Sequence, residues 1–334
     1  ARSDGFKRQV FWPAIFASYA IPVVLAIHGF LLLLFLFWRR KLLIFPIIAL
    51  LFGIPFIHVT IDLKGIKSPK NHDFSMLSFN AKLFRQYKIY DQFSMRMIKW
   101  ADADTSDIKC FQEYSTNSQQ SDFDVTRQIA EKGYHHFVFE AKMDPDVVGN
   151  HPGLAIFTKF HILDSGVVWQ DYGSFNAGIF ADIQIGREVV RVYNIHLASM
   201  RLELYRYKKA HNYYHKIIRL LMRLKHGSEK RSSQIDLLIE HANNSPYPVV
   251  ICGDFNETPY SYNYFKLKKH FSNSFENAGH GFGFSYHSIL FFLRIDHQFY
   301  TNRIKALDYR IDREMRISDH FPARSLYSIS KDKD

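Results

Sequence analysis

The chain is 334 residues long and carries 43 Lys and Arg against 32 Asp and Glu, a formal net charge of +11. That length exceeds one typical domain, and the cationic excess points to phosphate-rich partners, nucleic acid or anionic lipid. The absence of any internal repeat or low-complexity tract argues against a repeat architecture, and the absence of CxxC or Cys/His spacing argues against a structural zinc site.

From Phe11 to Trp38, and again from Leu42 to Ile61, there is no Asp, Glu, Lys or Arg. Each run reaches the roughly 20 residues needed to cross a bilayer. Pro13, Pro22, Gly29, Pro46, Gly53 and Pro55 interrupt them, which membrane helices tolerate and soluble helices resist. Residues 1–62 read as a membrane anchor with two transmembrane helices, about 11–38 and 42–61; the alternative is a buried apolar hairpin. His28 and His58 inside the spans read as structural or interface residues. The basic loop Trp38-Arg39-Arg40-Lys41 belongs on the cytoplasmic side by the positive-inside tendency, which puts the rest of the chain on the periplasmic side or outside. Lys7, Arg8, Lys64, Lys67 and Lys70 pull the other way.

Residues 63–72 form a short polar linker, residues 73–328 one large domain, and 329–334 a polar tail. Strands are expected at Phe74–Phe79 running into Asn80, and at Ile108–Phe111 running into Gln112 and Glu113. Gly153–Thr158 and Ala177–Ile185 follow, then Val189–Ile195 ending at His196 and Pro248–Cys252 ending at Gly253-Asp254-Phe255-Asn256. Two more acid- and His-bearing strand ends lie at Arg294-Ile295-Asp296-His297 and Ile317-Ser318-Asp319-His320-Phe321-Pro322. Helices are expected at 89–101, 124–132 and 234–242, with one or two basic amphipathic helices between Arg201 and Arg231. That basic segment reads either as a solvated face or as a surface for lipid head groups or a polyanion. Cys110 and Cys252 fall in buried strands and read as small apolar residues rather than a bridge.

Alternation along an extended chain points Asp254 and Asn256 the same way, with Phe255 turned into the core and Gly253 permitting close backbone approach. Acids, amides and imidazoles delivered at several strand ends are the residue types that metal-assisted phosphate chemistry needs. The ordered set Asn80, Gln112-Glu113, His196, Gly253-Asp254-Phe255-Asn256, Asp296 and Ser318-Asp319-His320 resembles the endonuclease/exonuclease/phosphatase superfamily over roughly residues 72–328. More narrowly, the whole chain is similar to the membrane-anchored members found in Bacteroidetes-type bacteria. Those proteins usually carry one further N-terminal span; with no Met before Ala1, a further span is expected to precede it.

Periodicity alone gives only α/β or α+β; the resemblance implies a four-layer α/β sandwich, two packed mixed β-sheets flanked by helices, behind an N-terminal transmembrane hairpin. It implies a metal-dependent phosphoric ester hydrolase using Mg2+, with Mn2+ or Ca2+ as alternatives, and Asn80, Glu113 and Asp319 as metal ligands. His320 would contact the scissile phosphate or activate water, with Asp296 holding its ring nitrogen. Asp254 would orient or deprotonate water, Asn256 would donate to a phosphoryl oxygen, and His196 would be a second catalytic imidazole. The choice of base between Asp254 and His320 stays open. Lys82 stands where abasic-site endonucleases carry an acid, and is a candidate substrate contact that weakens a DNA-repair reading. His297 should point away from its neighbour Asp296 and is left structural.

These readings converge on an integral protein of the bacterial inner membrane. The resemblance implies that it hydrolyses phosphate esters, as phosphodiesters of nucleic acid or of lipid head groups, with the bilayer and the substrate as expected partners. The alternative is a subunit of a membrane complex whose hydrolase-like domain is mainly a scaffold, its apolar spans packing on partner proteins. Gly279–Phe284 either shapes the pocket rim or closes a loop.

Overall fold

A computed structural model of the chain describes residues 12–63, 69, 71–85, 91–141, 150–199, 213–288 and 291–330. Most of the expected linker, the start of the helix expected at 89, and the segment 200–212 lie outside the described residues. The two apolar runs form α1 (Trp12–Phe37) and α2 (Ile44–Thr60), joined through the basic loop. Both are long and apolar enough to cross a membrane. Phe30, Leu33 and Phe37 of α1 and Phe45, Leu51 and Phe52 of α2 turn exposed side chains outward.

After β1 (Ile61–Asp62) the chain builds β2 (Phe74–Asn80), α3 (Gln92–Ala103), β3 (Ile108–Asn117), α4 (Val125–Glu131), β4 (His135–Glu140), β5 (Asn150–Thr158) and β6 (His161–Gln170). Then come β7 (Ala177–Ile185), β8 (Glu188–His196), α5 (Tyr213–Asn243), β9 (Val249–Asp254), α6 (Tyr262–Lys268), β10 (Ser272–Asn273) and α7 (Ser274–Ala278). β11 (Gly281–Phe282), β12 (Asp296–Tyr300), β13 (Ile304–Ile311) and β14 (Ala323–Ile329) complete it. Two six-stranded sheets result, ordered β13-β14-β2-β3-β5-β4 and β10-β12-β9-β8-β7-β6. Each is mixed: β2–β3 and β8–β9 are parallel, the other pairs antiparallel.

Strand periodicity sorts the side chains into layers. Phe74, Met76, Cys110, Val190, Val192, Val250 and Cys252 fill the space between the sheets. Leu77, Phe79, Phe111 and Phe157 face outward onto Met97 and Ile98 of α3 and Ile129 of α4. Tyr193, Ile195, Val249 and Ile251 face outward onto Ile235 and Leu238 of α5 and Tyr264 and Leu267 of α6. This is the expected α/β architecture of two sheets with helices on their outer faces. Both cysteines are buried and free.

Several expectations need correction. The strand expected to stop at Phe111 runs on to Asn117 through a bulge. Asp296 opens its strand instead of ending one, and Ser318 to His320 form a loop ahead of β14, because both later strands run antiparallel to their neighbours and present their starts to the site. The helix expected at 234–242 is the C-terminal part of the single 31-residue α5. Arg231, counted with the basic face, is wholly buried within it.

The hairpin is packed directly on the domain. Arg294 Nη2 donates to the Val59 carbonyl at 2.7 Å, in the last turn of α2, where a cation also meets the negative end of the helix dipole. Thr60 Oγ1 lies 2.7 Å from the Tyr260 hydroxyl, and Ile61 and Asp62 pair with Phe282 and Gly281. Val59 is buried, and Ile21 and Phe56 pack on the same outer core as α5 and α6.

Candidate active site

The face of each sheet that turns toward the other grades from apolar to polar along the strands. Ser78 and Gln112 on the first sheet meet Asn194 on the second: Gln112 Nε2 donates to Asn194 Oδ1 at 2.6 Å, and Asn194 Nδ2 donates to the carbonyls of Phe111 and Ala155, each at 2.9 Å. One step further along, Asn80, His196, Asp254 and Asp296 share that inward face at one end of the sandwich.

Glu113 joins them only because of the β3 bulge. Phe111 and Tyr114 both pack on the outer helices, so the two residues between them turn inward together. The cost is a left-handed backbone at Glu113, φ 43°. Its carboxylate is 27% exposed, at the mouth of the site.

Asn80 Nδ2 donates to Asp254 Oδ2 at 3.0 Å and to Glu113 Oε1 at 3.3 Å, while its carbonyl accepts from the Lys82 N–H. Asp254 Oδ1 accepts from the Asn256 N–H at 2.9 Å, closing the turn after β9. Gly253 makes that turn possible: at φ 142°, a Cβ here would stand 1.9 Å from the Ile195 carbonyl oxygen. The Asn256 side chain donates to the Leu197 carbonyl, and Phe255 packs outward as expected.

His320 Nδ1 lies 2.9 Å from Asp296 Oδ2, and its Nε2 lies 3.7 Å from Asp254 Oδ2. Burial alone would lower the imidazole's pKa, but Asp296, then Asp254, outweigh it and raise it to about 10. Burial holds the Asp296 carboxyl above its usual range, opposed by His320. His196 Nε2 lies 3.6 Å from Asp254 Oδ2 and 3.8 Å from Glu113 Oε1, and both ring nitrogens are buried without a protein hydrogen bond. Lys82 Nζ sits 3.1 Å from Asp319 Oδ2. Burial would raise the Asp319 pKa, but His320 and Lys82 bring it below the usual value. His297 turns to the opposite face, where Nε2 meets the Glu257 carbonyl at 2.8 Å.

Two places could hold a cation. Asp254, Asp296 and His320 offer one ligand atom each within 4.8 Å of one another, with the His320 ring set between the two carboxylates, Nδ1 at 2.9 Å from Asp296. The better fit lies at the mouth, where the Asn80 amide is wedged as a donor between the carboxylates of Glu113 and Asp254, with the unpartnered His196 ring beside them. The carboxylate oxygens there suit a hard divalent cation, which the Asn80 amide would join through its oxygen, the atom that here accepts from the Lys82 N–H.

Sequence reasoning missed the supports. Ser285 Oγ accepts from the backbone N–H groups of Ile295 and Asp296, and the Ser285 carbonyl accepts from Phe321, so one buried serine fixes both the acid and the loop of its histidine partner. Arg231 Nε donates to Glu257 at 2.7 Å and Nη1 to the Ala198 carbonyl, tying together the loops that follow His196 and Asn256. An acid directly after Asn256 and an arginine in an apolar-faced helix were the available signals.

The profile of the Endonuclease/Exonuclease/phosphatase family matches residues 81–320. The chain belongs to that family. As a member of the endonuclease/exonuclease/phosphatase family it is a phosphoric ester hydrolase. Among solved structures, an endonuclease/exonuclease/phosphatase from Beutenbergia cavernae DSM 12333 is 16% identical with TM-score 0.57, covering 78% of this chain and 72% of that one. One from Bacteroides vulgatus is 16% identical with TM-score 0.54, covering 77% and 98%. A 3'-5' exonuclease from Neisseria meningitidis is 15% identical with TM-score 0.52, covering 76% and 99%. At such identities the likeness establishes the shared fold. No curated protein matches the chain.

Proposed function

We propose that the chain is a membrane-anchored, divalent-metal-dependent hydrolase that attacks a phosphate ester in line with activated water, its domain on the periplasmic side of a bacterial inner membrane. Its substrates are phosphodiesters of nucleic acid or of lipid head groups. The observation that carries the reading is the cluster of two hydrogen-bonded groups, Asn80 with Glu113 and Asp254, and Asp296 with His320, gathered from both sheets with His320 Nε2 3.7 Å from Asp254 and His196 against them.

A bound Mg2+, or Mn2+ or Ca2+ in its place, supplies charge neutralisation on the phosphoryl group. Glu113 and Asn80 would hold it, with Asp319 contributing once freed from Lys82. Asp254 Oδ2 accepts the water proton, since His320 already holds its own and donates to a phosphoryl oxygen. Asp296 keeps that imidazole oriented. His196 stabilises the phosphate from the other side, and Asn256 holds the turn that aims Asp254.

The test is purified full chain against bis-p-nitrophenyl phosphate, DNA, RNA and phospholipid, with Mg2+ and with chelator. Turnover that needs the cation and disappears in Glu113→Ala is expected. No turnover of any substrate, or turnover untouched by that substitution, overturns the reading.

A further inference from the structure

Where the hairpin meets the domain is close to the active site. Arg294, which holds the Val59 carbonyl, is two residues from Asp296, at most about 7.6 Å between Cα atoms. Tyr260, which meets Thr60, is four residues past Asn256. β11, paired to β1, precedes Ser285 by three residues. The seat of α2 on the domain therefore lies within a few residues, along the chain, of the catalytic set.

Close to that seat along the chain, large apolar side chains are exposed. Phe282, the strand partner of Ile61, is 51% exposed; Leu63, just past β1, is 85% exposed; Phe291, three residues before Arg294, is 65% exposed. Beside them stand two exposed guanidinium groups: Arg313 Nη2 donates to the Phe282 carbonyl, and Arg316 Nε donates to the Arg313 carbonyl. Aromatic and aliphatic side chains interleaved with arginine are the composition of a surface resting in the head-group layer.

Helix length points the same way. Ile21 and Phe56 already pack on the domain, and from Ile21 to the end of α1 at Phe37 the rise is about 24 Å. The hydrocarbon layer is ~30 Å thick. For the basic loop Arg39 to Lys41 to reach the far interface, the domain surface around Ile21 and Phe56 must sink into the near one.

We infer that Phe282, Phe291 and Leu63, with Arg313 and Arg316, form a second membrane contact that seats the catalytic pocket in the head-group layer, so that its substrate is a phosphoester carried by a lipid of that bilayer. The substrate clause rests on the hydrolase reading above; the membrane contact does not. Because Cys110 and Cys252 are buried, a single nitroxide can be placed at Phe282→Cys, at Phe291→Cys, or at Arg187→Cys in the turn at the opposite end of β8.

In the full chain reconstituted into phosphatidylcholine and phosphatidylglycerol vesicles, labels at 282 and 291 should relax with oxygen and be shielded from a water-soluble nickel chelate, and the label at 187 should behave oppositely. Labels at 282 and 291 that match 187 overturn the contact. The double variant Phe282→Asp/Phe291→Asp should lose at least tenfold in turnover of vesicle phospholipid while keeping its rate on bis-p-nitrophenyl phosphate within twofold. Equal loss on both substrates, no loss on lipid, or turnover of oligonucleotide but not lipid by the parent chain overturns the substrate clause. A parent chain that hydrolyses none of them defeats the hydrolase reading, and the spin labels alone then decide the contact.

Discussion

Asp254 and Asp296 are direct partners across the antiparallel β9–β12 pair, and a single imidazole, that of His320, reaches both: Nδ1 to Asp296 at 2.9 Å and Nε2 toward Asp254 at 3.7 Å. The register of two strands thus sets which acids face a loop residue, and these are the charges that raise its pKa against burial. Moving either acid by one position would turn it to the other face of the sheet and leave His320 with one carboxylate.

Asp296→Asn keeps the size of the side chain but removes the charge that orients and protonates His320. The expected result is a fall in kcat on the order of 10² or more, the usual worth of acid–base assistance, with KM nearly unchanged. Steady-state kinetics on bis-p-nitrophenyl phosphate checks it; a loss under threefold would remove Asp296 from the mechanism.

Gly253→Ala places a methyl group 1.9 Å from the Ile195 carbonyl at a backbone angle that L-residues avoid. Destabilisation of about 2–4 kcal/mol is expected, together with displacement of Asp254 and loss of activity. Thermal unfolding in detergent and the same assay read both.

Lys82→Ala should separate substrate contact from stability. The side chain is about half exposed and its partner is Asp319, so the melting temperature should stay within about 1 °C, as for most surface ion pairs. KM for a phosphodiester should rise several-fold with kcat less affected, and an unchanged KM would take Lys82 out of the substrate path.

Lys109 gives a pH signature remote from the site. It is buried on β3, donating to the Ala101 carbonyl at 2.9 Å and lying over the Tyr134 ring. Burial, opposed by Asp104 and Asp102, lowers its pKa to about 8. The unfolded chain therefore binds the extra proton more tightly, and stability should rise as pH climbs from about 8 to about 10.5. Lys109→Met should be more stable than the parent at pH 7, by about 3 kcal/mol from the shift less about 1 for the lost hydrogen bond. The gap should close by pH 10.5 in denaturant titrations.

The sequence made the inner strands legible because they are apolar on both faces or end in unmistakable polar residues, as Pro248 to Asn256 does. It placed the inner strand β14 too early, at Ile317 to Pro322, and did not reveal β4, β6 or β13. All three are sheet edges, and edge strands such as β4 and β6 leave many side chains exposed, so polar residues interrupt their pattern. Glu113 was singled out for its type, but its access depends on an extra residue in the ladder that strict alternation cannot supply. Ser285 and Arg231 act through contacts 10 or more residues away in the chain, which no local spacing encodes.

The grip of Arg294 on the last turn of α2 makes the hairpin a structural wall of the hydrolase and not a mooring line. A chain trimmed to begin at Phe74 would strip that guanidinium of its carbonyl, open to water the recess that Val59 and Phe56 now fill, and do so two residues from the acid that steadies the His320 ring.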